Sequence, residues 1–171
     1  MISLINYFGF QLGWFACVGG AAGRRAWLGP VVVALLIAAH LAFSPGRARE
    51  LRRLAAVGLF GLVLESAAIA VGLYGYAGGG PVWWLAPAWI VALWVLIAAT
   101  FESSLSWLDR RPWLTAAFSA VGSPLSFSAG VRMGAARFLV PTPVGLAALA
   151  ALWAAALPLA FWISRLAGGE A

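Results

Sequence analysis

One carboxylate, Glu65, lies inside a long apolar segment, where its carboxyl group could carry a proton or bind a polar group of a substrate. The segment extends over residues 54–73, and Ser66 directly follows the acid. A charged side chain at the middle of a bilayer costs about 2.5–3.5 kcal/mol on insertion scales, so the carboxyl group should take up a proton or find a partner. In the structural alternative, Glu65 forms a hydrogen bond that fixes helix packing. The sequence leaves both interpretations open.

The spacing of small residues around Glu65 predicts that this side chain faces the interior of a helix bundle. They recur at intervals of three and four positions, which places them on one face of a helix with Glu65. The small residues are Gly58, Gly61, Ala68 and Gly72. Such a face lets a second helix approach closely.

Five further polar side chains lie in or next to apolar segments. Gln11 lies near the middle of the first segment. His40 lies near the end of the second segment and is either a snorkelling interfacial residue or part of a site. Glu102 and Ser103 lie at the serine-rich end of the fourth segment, where the hydroxyls either bond back to the helix or line a polar crevice. Arg132 is either a loop charge or an inward clamp for a phosphate or carboxylate.

These polar groups fit neither a metal motif nor a nucleotide motif. A single cysteine, Cys17, and a single histidine cannot make a zinc site of the usual kind. No Walker loop or dinucleotide-binding glycine motif occurs, so we expect no metal and no cofactor. A site would instead require side chains from separate segments to point into one interior region. The side chains expected there are Glu65, Gln11, Glu102 and Arg132.

The composition requires that these segments lie in a membrane. The chain is 64% hydrophobic and 9% charged, with a mean hydropathy of +0.96. Soluble domains carry about 25% charged residues, so this chain has too little polar surface to cover a globule in water. Its net charge of +6 comes from arginines between the apolar segments. We interpret them as topology signals that face anionic lipid head groups and not as a nucleic-acid surface.

The apolar segments predict a single transmembrane domain over residues 1–171, an all-α polytopic bundle. Helices are expected because lipid cannot hydrogen-bond exposed backbone. Trp83 and Trp107 are expected to anchor the two ends of the fourth span. The fifth span is either fully transmembrane or re-entrant, broken near Gly122 and Pro124. Seven arginines on one side against four on the other favour cytoplasmic N- and C-termini. The six spans are expected at roughly 4–22, 27–43, 54–73, 83–108, 113–130 and 143–163.

Three stretches, FQLGWFACV, FESSLSWL and GSPLSFSAGVRMGA, resemble an uncharacterised family of small bacterial inner-membrane proteins, a domain of unknown function. The resemblance covers nearly the whole chain and implies a bacterial inner-membrane location. The family often has an Asn-His pair where this chain has Glu102-Ser103, which argues against a fixed catalytic centre there. An acidic residue followed directly by serine in the family corresponds to Glu65 and Ser66 in this chain. Because family genes often lie beside genes for fatty-acid cyclopropanation, the resemblance implies a lipid-linked role and no defined activity.

Two functional hypotheses remain, and we favour the first. In the first, the chain is a lipid-binding, accessory or scaffold protein whose partners are membrane lipids and a lipid-modifying enzyme or a second copy of itself. In the second, it is an intramembrane enzyme or a proton-coupled transporter centred on Glu65. Replacing Glu65 by glutamine separates them: loss of function in a normally inserted and folded protein would count against a scaffold role, and full tolerance would count against acid chemistry at this position.

Overall fold

The computed structural model describes residues 2–169, and within that range the chain is a helical bundle. One turn of 3-10 helix covers Ser106–Leu108, and two short strands form β1 (Tyr74–Tyr76) and β2 (Ala136–Phe138). The bundle confirms the expected helical fold, to which the structure adds the small sheet. The six α-helices are α1 (Ile2–Ala22), α2 (Leu28–Phe43), α3 (Arg47–Ala70), α4 (Ala88–Ala98), α5 (Pro112–Met133) and α6 (Thr142–Gly168).

Length and composition associate this bundle with a membrane. Among the described residues, α3, α5 and α6 are long and apolar enough to cross a bilayer, whereas α2 and α4 are shorter apolar helices. The outer surface also carries large exposed apolar side chains, including Phe43, Leu35 and Leu125. A surface of this kind is stable against lipid and would be unusually apolar for a protein in water.

The fourth helix is much shorter than the sequence predicted. A continuous helix was expected over residues 83–108, but α4 contains only 11 residues, about 16 Å at 1.5 Å per residue. It ends where Thr100 donates its hydroxyl to Ile97 O at 2.5 Å and Asn6 donates to Ala99 O at 3.0 Å. Other helices of the bundle pack around α4, and these two side chains satisfy backbone carbonyls at its C-terminal end, whereas Trp83 and Trp84 before its N-terminus are exposed.

The arginine-rich segment before the third span was expected to be a loop but is helical. It forms the first two turns of α3, which begins at Arg47, directly after Gly46. Arginine and glutamate are good helix formers, and Glu50 and Arg53 lie on the buried face. In α5, by contrast, the helix continues through Pro124 over 22 residues, so the structure has no break of the re-entrant kind there.

A two-stranded antiparallel sheet closes the end of the bundle opposite Arg53, and we call this the sheet end. β1 follows α3 and β2 precedes α6, with Tyr74 paired to Phe138 and Tyr76 paired to Ala136. Both stretches were expected to be loops. Because side chains alternate along a strand, Tyr74 and Tyr76 lie on the same face of β1, towards the interior of the bundle.

Candidate functional site

Glu65 is buried, with 2% of its surface exposed, and three neutral side chains donate hydrogen bonds to its carboxylate. Tyr74 and Tyr76 both donate to Oε2, at 2.9 and 2.7 Å. Trp94 donates its Nε1 proton to Oε1 at 3.2 Å. A buried carboxylate needs hydrogen-bond donors to offset lost hydration, and here they come from the strand β1 and the helix α4.

The small residues of α3 allow Trp94 to reach Glu65. At Gly61, a Cβ atom would overlap the indole ring of Trp94, and at Gly58 it would lie 2.8 Å from Val95. The indole is held from the other side by Trp153 of α6, which stacks on it at a centroid distance of 4.7 Å and an angle of 15°. The stripe of small residues therefore positions a donor at Glu65 as well as allowing close helix packing.

A cavity of about 450 Å³ lies beside Glu65, and we call it the Glu65 cavity. Its walls are mostly apolar and aromatic, and its polar lining includes the side chains of Glu65, Tyr76 and Gln11. Residues of α1 and α5 line the side away from α3. There, Trp14 of α1 donates to Ser126 Oγ of α5 at 3.0 Å.

Of the side chains expected from the sequence, only Gln11 lines this cavity together with Glu65. Ser66 is buried beside the acid and accepts a hydrogen bond from the backbone N–H of Ala86 at 3.0 Å, which anchors the loop before α4. Ser103 bonds back to the carbonyls of residues 99 and 100. Arg132 is exposed and does not contribute to the cavity lining.

The expectation that Glu102 and Arg132 would converge with Glu65 is therefore wrong. Glu102 forms an ion pair with Arg53, which is twelve positions before Glu65 on α3, or about 18 Å along the helix axis. The physical reason is depth along the bundle. α4 runs antiparallel to α3, with Trp94 beside Gly61 and Val95 beside Gly58, so Glu102, eight positions beyond Trp94, lies towards the start of α3 and away from Glu65.

Glu102 instead belongs to a second polar cluster at the end of the bundle opposite the sheet, which we call the arginine end. Arg53 is 5% exposed, and its Nε donates to Ser164 Oγ at 2.9 Å. It also lies 3.6 Å from Glu50, whose other oxygen is 2.9 Å from His40 Nε2. His40 thus pairs with an acid and does not contact Glu65. The cations and carboxylates largely balance each other, as expected for a structural cluster that joins α2, α3 and α6.

The described residues 2–169 contain no group of three or more His, Cys, Asp or Glu side chains that could hold a metal ion. The polar side chains that line the Glu65 cavity are one carboxylate, a phenol, indole donors, an amide and several serine hydroxyls. Such groups can bind and orient a polar head group, and the phenols donate hydrogen bonds to the acid.

The sequence reasoning missed the aromatic residues of the site. Tyr74 and Tyr76 lie in a stretch without charge that was interpreted as a loop, and Trp94 was counted only as part of an apolar span. The available signal was weak. Two tyrosines at positions i and i+2, nine and eleven residues after an intramembrane acid, are hydrogen-bond donors of the type that the acid requires.

Comparison with known proteins identifies the family of this chain but assigns no activity to it. No curated protein and no solved structure matches the chain significantly. The model of the family described as "Protein of unknown function (DUF2878)" matches residues 3–159, nearly the whole chain, and the chain therefore belongs to this family.

Proposed function

We propose that this membrane protein binds one lipid-like amphiphile in the Glu65 cavity and acts as a lipid-binding or accessory protein. The cavity itself is the observation that carries the proposal. Its volume of about 450 Å³ lies within the range of about 300–1,000 Å³ typical of ligand pockets. Apolar walls with a few polar groups at one place suit a molecule with an apolar chain and a polar head group.

The shape of the cavity supports access from the bilayer. Phe15 of α1 and Phe118 of α5 both line the cavity, yet their side chains are 59% and 44% exposed on the outer surface. The cavity therefore reaches the surface between these two helices, which contact each other over only a short stretch. An acyl chain could enter there without crossing water.

The setting that we propose for this activity is the bacterial inner membrane, with both termini in the cytoplasm. The arginine distribution and the family resemblance support this orientation. The partner would be a lipid-modifying enzyme or a second copy of the chain, to which the protein presents or from which it receives its lipid. The neighbouring cyclopropanation genes of the resembling family support a lipid-modifying partner.

A cavity-filling substitution tests the proposal. At Gly122, which lines the cavity, a Cβ atom would meet nothing within 4 Å, so Gly122→Phe should occupy the cavity without a backbone clash. Val121→Phe is the matched control, because Val121 is 64% exposed on the lipid-facing surface.

The readout is photocrosslinking in liposomes with a phospholipid that carries a diazirine in its acyl chain. Trp153 lines the cavity, is half-buried and lies next to Ser119, one turn before Gly122, so its ring can report a molecule inside the cavity. We expect label at Trp153 in the wild type and in Val121→Phe, and loss of that label in Gly122→Phe. Label confined to exposed positions in all three proteins would refute lipid binding in this cavity.

The contacts of Glu65 favour one second candidate, an intramembrane enzyme or a proton-coupled transporter. Glu65 and one of the two phenols that donate to it line the cavity themselves, so the acid could exchange a proton with a molecule bound there. In proteoliposomes with an internal pH-sensitive dye, a substrate-dependent proton flux that Glu65→Gln abolishes would favour this candidate. Full tolerance of the Glu65→Gln substitution in cells would exclude it.

A further inference from the structure

The carboxylate of Glu65 has donors but no cation beside it. Among residues 2–169, its contacts are hydrogen bonds from Tyr74, Tyr76 and Trp94, and no arginine pairs with it. A carboxylate accepts about four hydrogen bonds through its lone pairs. Two donors occupy Oε2 and only one occupies Oε1, so Oε1 can accept a further hydrogen bond, and Glu65 is among the residues that line the cavity.

Aromatic rings surround the same part of the cavity. Tyr76 and Trp89 meet almost at right angles, with centroids 5.3 Å apart and an interplanar angle of 80°, and both line the cavity. Trp153 and Phe127 also line this part of the cavity, whereas Trp94 contributes only its ring edge, because Gly61 and Trp153 cover its two faces. Aromatic faces attract cations through their quadrupole, and cages of such rings recognise quaternary ammonium groups.

We infer that the occupant of the Glu65 cavity is an ammonium amphiphile, whose cationic head group lies between Glu65 and the aromatic rings. Its apolar chain would extend towards the opening between α1 and α5. This inference rests on the proposed lipid-binding function and narrows the class of ligand. A primary ammonium would donate to the acceptor position on Oε1, whereas a quaternary ammonium would rely on the rings and on the charge of Glu65.

Other head groups fit this environment less well. A fatty acid or another anionic head group would bring a second negative charge against Glu65, which both groups resist in a low-dielectric site. An alcohol could donate one hydrogen bond but would leave the charge of Glu65 without a counterion. The arrangement therefore favours a cation over neutral and anionic molecules of the same chain length.

Four probes with the same twelve-carbon chain test the inference. They are dodecyltrimethylammonium, dodecylammonium, dodecanol and dodecanoate, each titrated below its micellar concentration into the purified full chain in an uncharged maltoside detergent. Saturable changes in tryptophan fluorescence would give the dissociation constants, because three of the ten tryptophans lie around the head-group position. We expect at least one ammonium probe to bind about tenfold to a hundredfold more tightly than dodecanol.

Two variants, each of which removes one negative charge, show which carboxylate gives rise to the preference for ammonium probes. Glu65→Gln should bring the affinity for dodecylammonium down to that for dodecanol and should weaken binding of dodecyltrimethylammonium to the smaller preference that the rings alone supply. Glu102→Gln removes the same charge at the arginine end and should leave all four affinities unchanged. Size-exclusion chromatography and thermal unfolding establish that each variant is folded, and the wild-type preference among the four probes decides the inference even if Glu65→Gln does not fold.

The outcomes separate this inference from the proposed function. If the wild type binds dodecanol or dodecanoate as tightly as the ammonium probes, or if Glu65→Gln keeps the preference, the ammonium assignment is overturned while lipid binding stands. If no probe binds saturably and Gly122→Phe changes nothing, both fail. The inference is supported if Glu65→Gln removes the preference for dodecylammonium and reduces that for dodecyltrimethylammonium, while Glu102→Gln leaves both preferences intact.

Discussion

Replacing Gly61 by alanine should disturb the hydrogen bonds around Glu65 without changing a polar residue. The new Cβ would overlap Cγ, Cδ1 and Cδ2 of the Trp94 indole. The ring cannot simply move aside, because it stacks on Trp153 and donates to Glu65 Oε1 at 3.2 Å. The substitution must therefore separate α3 from α4, break this hydrogen bond, or do both.

The contributions to the change in unfolding free energy have opposite signs. Overpacking a close contact costs about 2 kcal/mol, and losing a buried hydrogen bond to a charged group costs about 2 kcal/mol more. Alanine in place of glycine in a helix interior returns about 1 kcal/mol. We therefore expect Gly61→Ala to lower the unfolding free energy by about 3 kcal/mol, mainly through the contact with Trp94.

Gly122→Ala provides the matched control, because its Cβ would meet nothing within 4 Å and should stabilise α5 by about 1 kcal/mol. Denaturant titration in mixed micelles would compare the two variants with the wild type. In a Trp94→Leu background, Gly61→Ala should lower the unfolding free energy much less than in the wild type, because the clash requires the indole ring. Gly61→Ala as stable as Gly122→Ala would refute this account of how Trp94 is positioned.

Three other perturbations test the bundle and its membrane setting. Arg53→Met should lower the unfolding free energy by about 3 kcal/mol in the same titration, because it leaves a buried acid without its cation. Glu102→Gln changes a side chain that is 49% exposed and should lower it by less than about 1 kcal/mol. Equal losses in the two variants would contradict the assignment of Arg53 as the buried cation of this cluster. Cys17 is fully buried and should react with a maleimide only after unfolding, so rapid labelling of the folded protein would show that α1 and α2 separate. Cysteines introduced at Gly46 and Gly79, beyond opposite ends of α3, should be labelled from opposite sides of sealed vesicles, and labelling of both from one side would rule out a membrane-crossing α3.

Hydropathy predicted four helices well, namely α1, α2, α5 and α6, because an apolar segment in lipid has few alternatives to a helix. The segments expected at 27–43 and 143–163 correspond to α2 and to most of α6, and the fifth continues through Pro124. The prediction failed for α4 because that helix is surrounded by protein. Asn6 and Thr100 satisfy the backbone at its end, and hydropathy does not report which groups a distant helix supplies.

The candidate site was predictable only at its centre. The apolar setting of Glu65 and the small residues on its helix face identified a buried acid. Its partners could not be found in this way, because Tyr74 and Tyr76 reach it through a strand paired with residues 136–138. Nothing in the local sequence around residue 74 specifies that pairing, which joins two connections about 60 residues apart.

The two polar clusters of α3 differ in a way that bears on function. At the arginine end, Arg53 is paired with the carboxylates of Glu50 and Glu102, Ser164 accepts a hydrogen bond from Arg53, and His40 contacts Glu50. At the sheet end, Glu65 has only neutral donors and borders a cavity of about 450 Å³. A buried carboxylate of this kind contributes little to folding stability, since apolar residues of similar volume often stabilise a fold as much or more. The strand pairing and the glycine contact that position donors around Glu65 are therefore better explained by a ligand that needs the carboxylate than by the packing of the bundle.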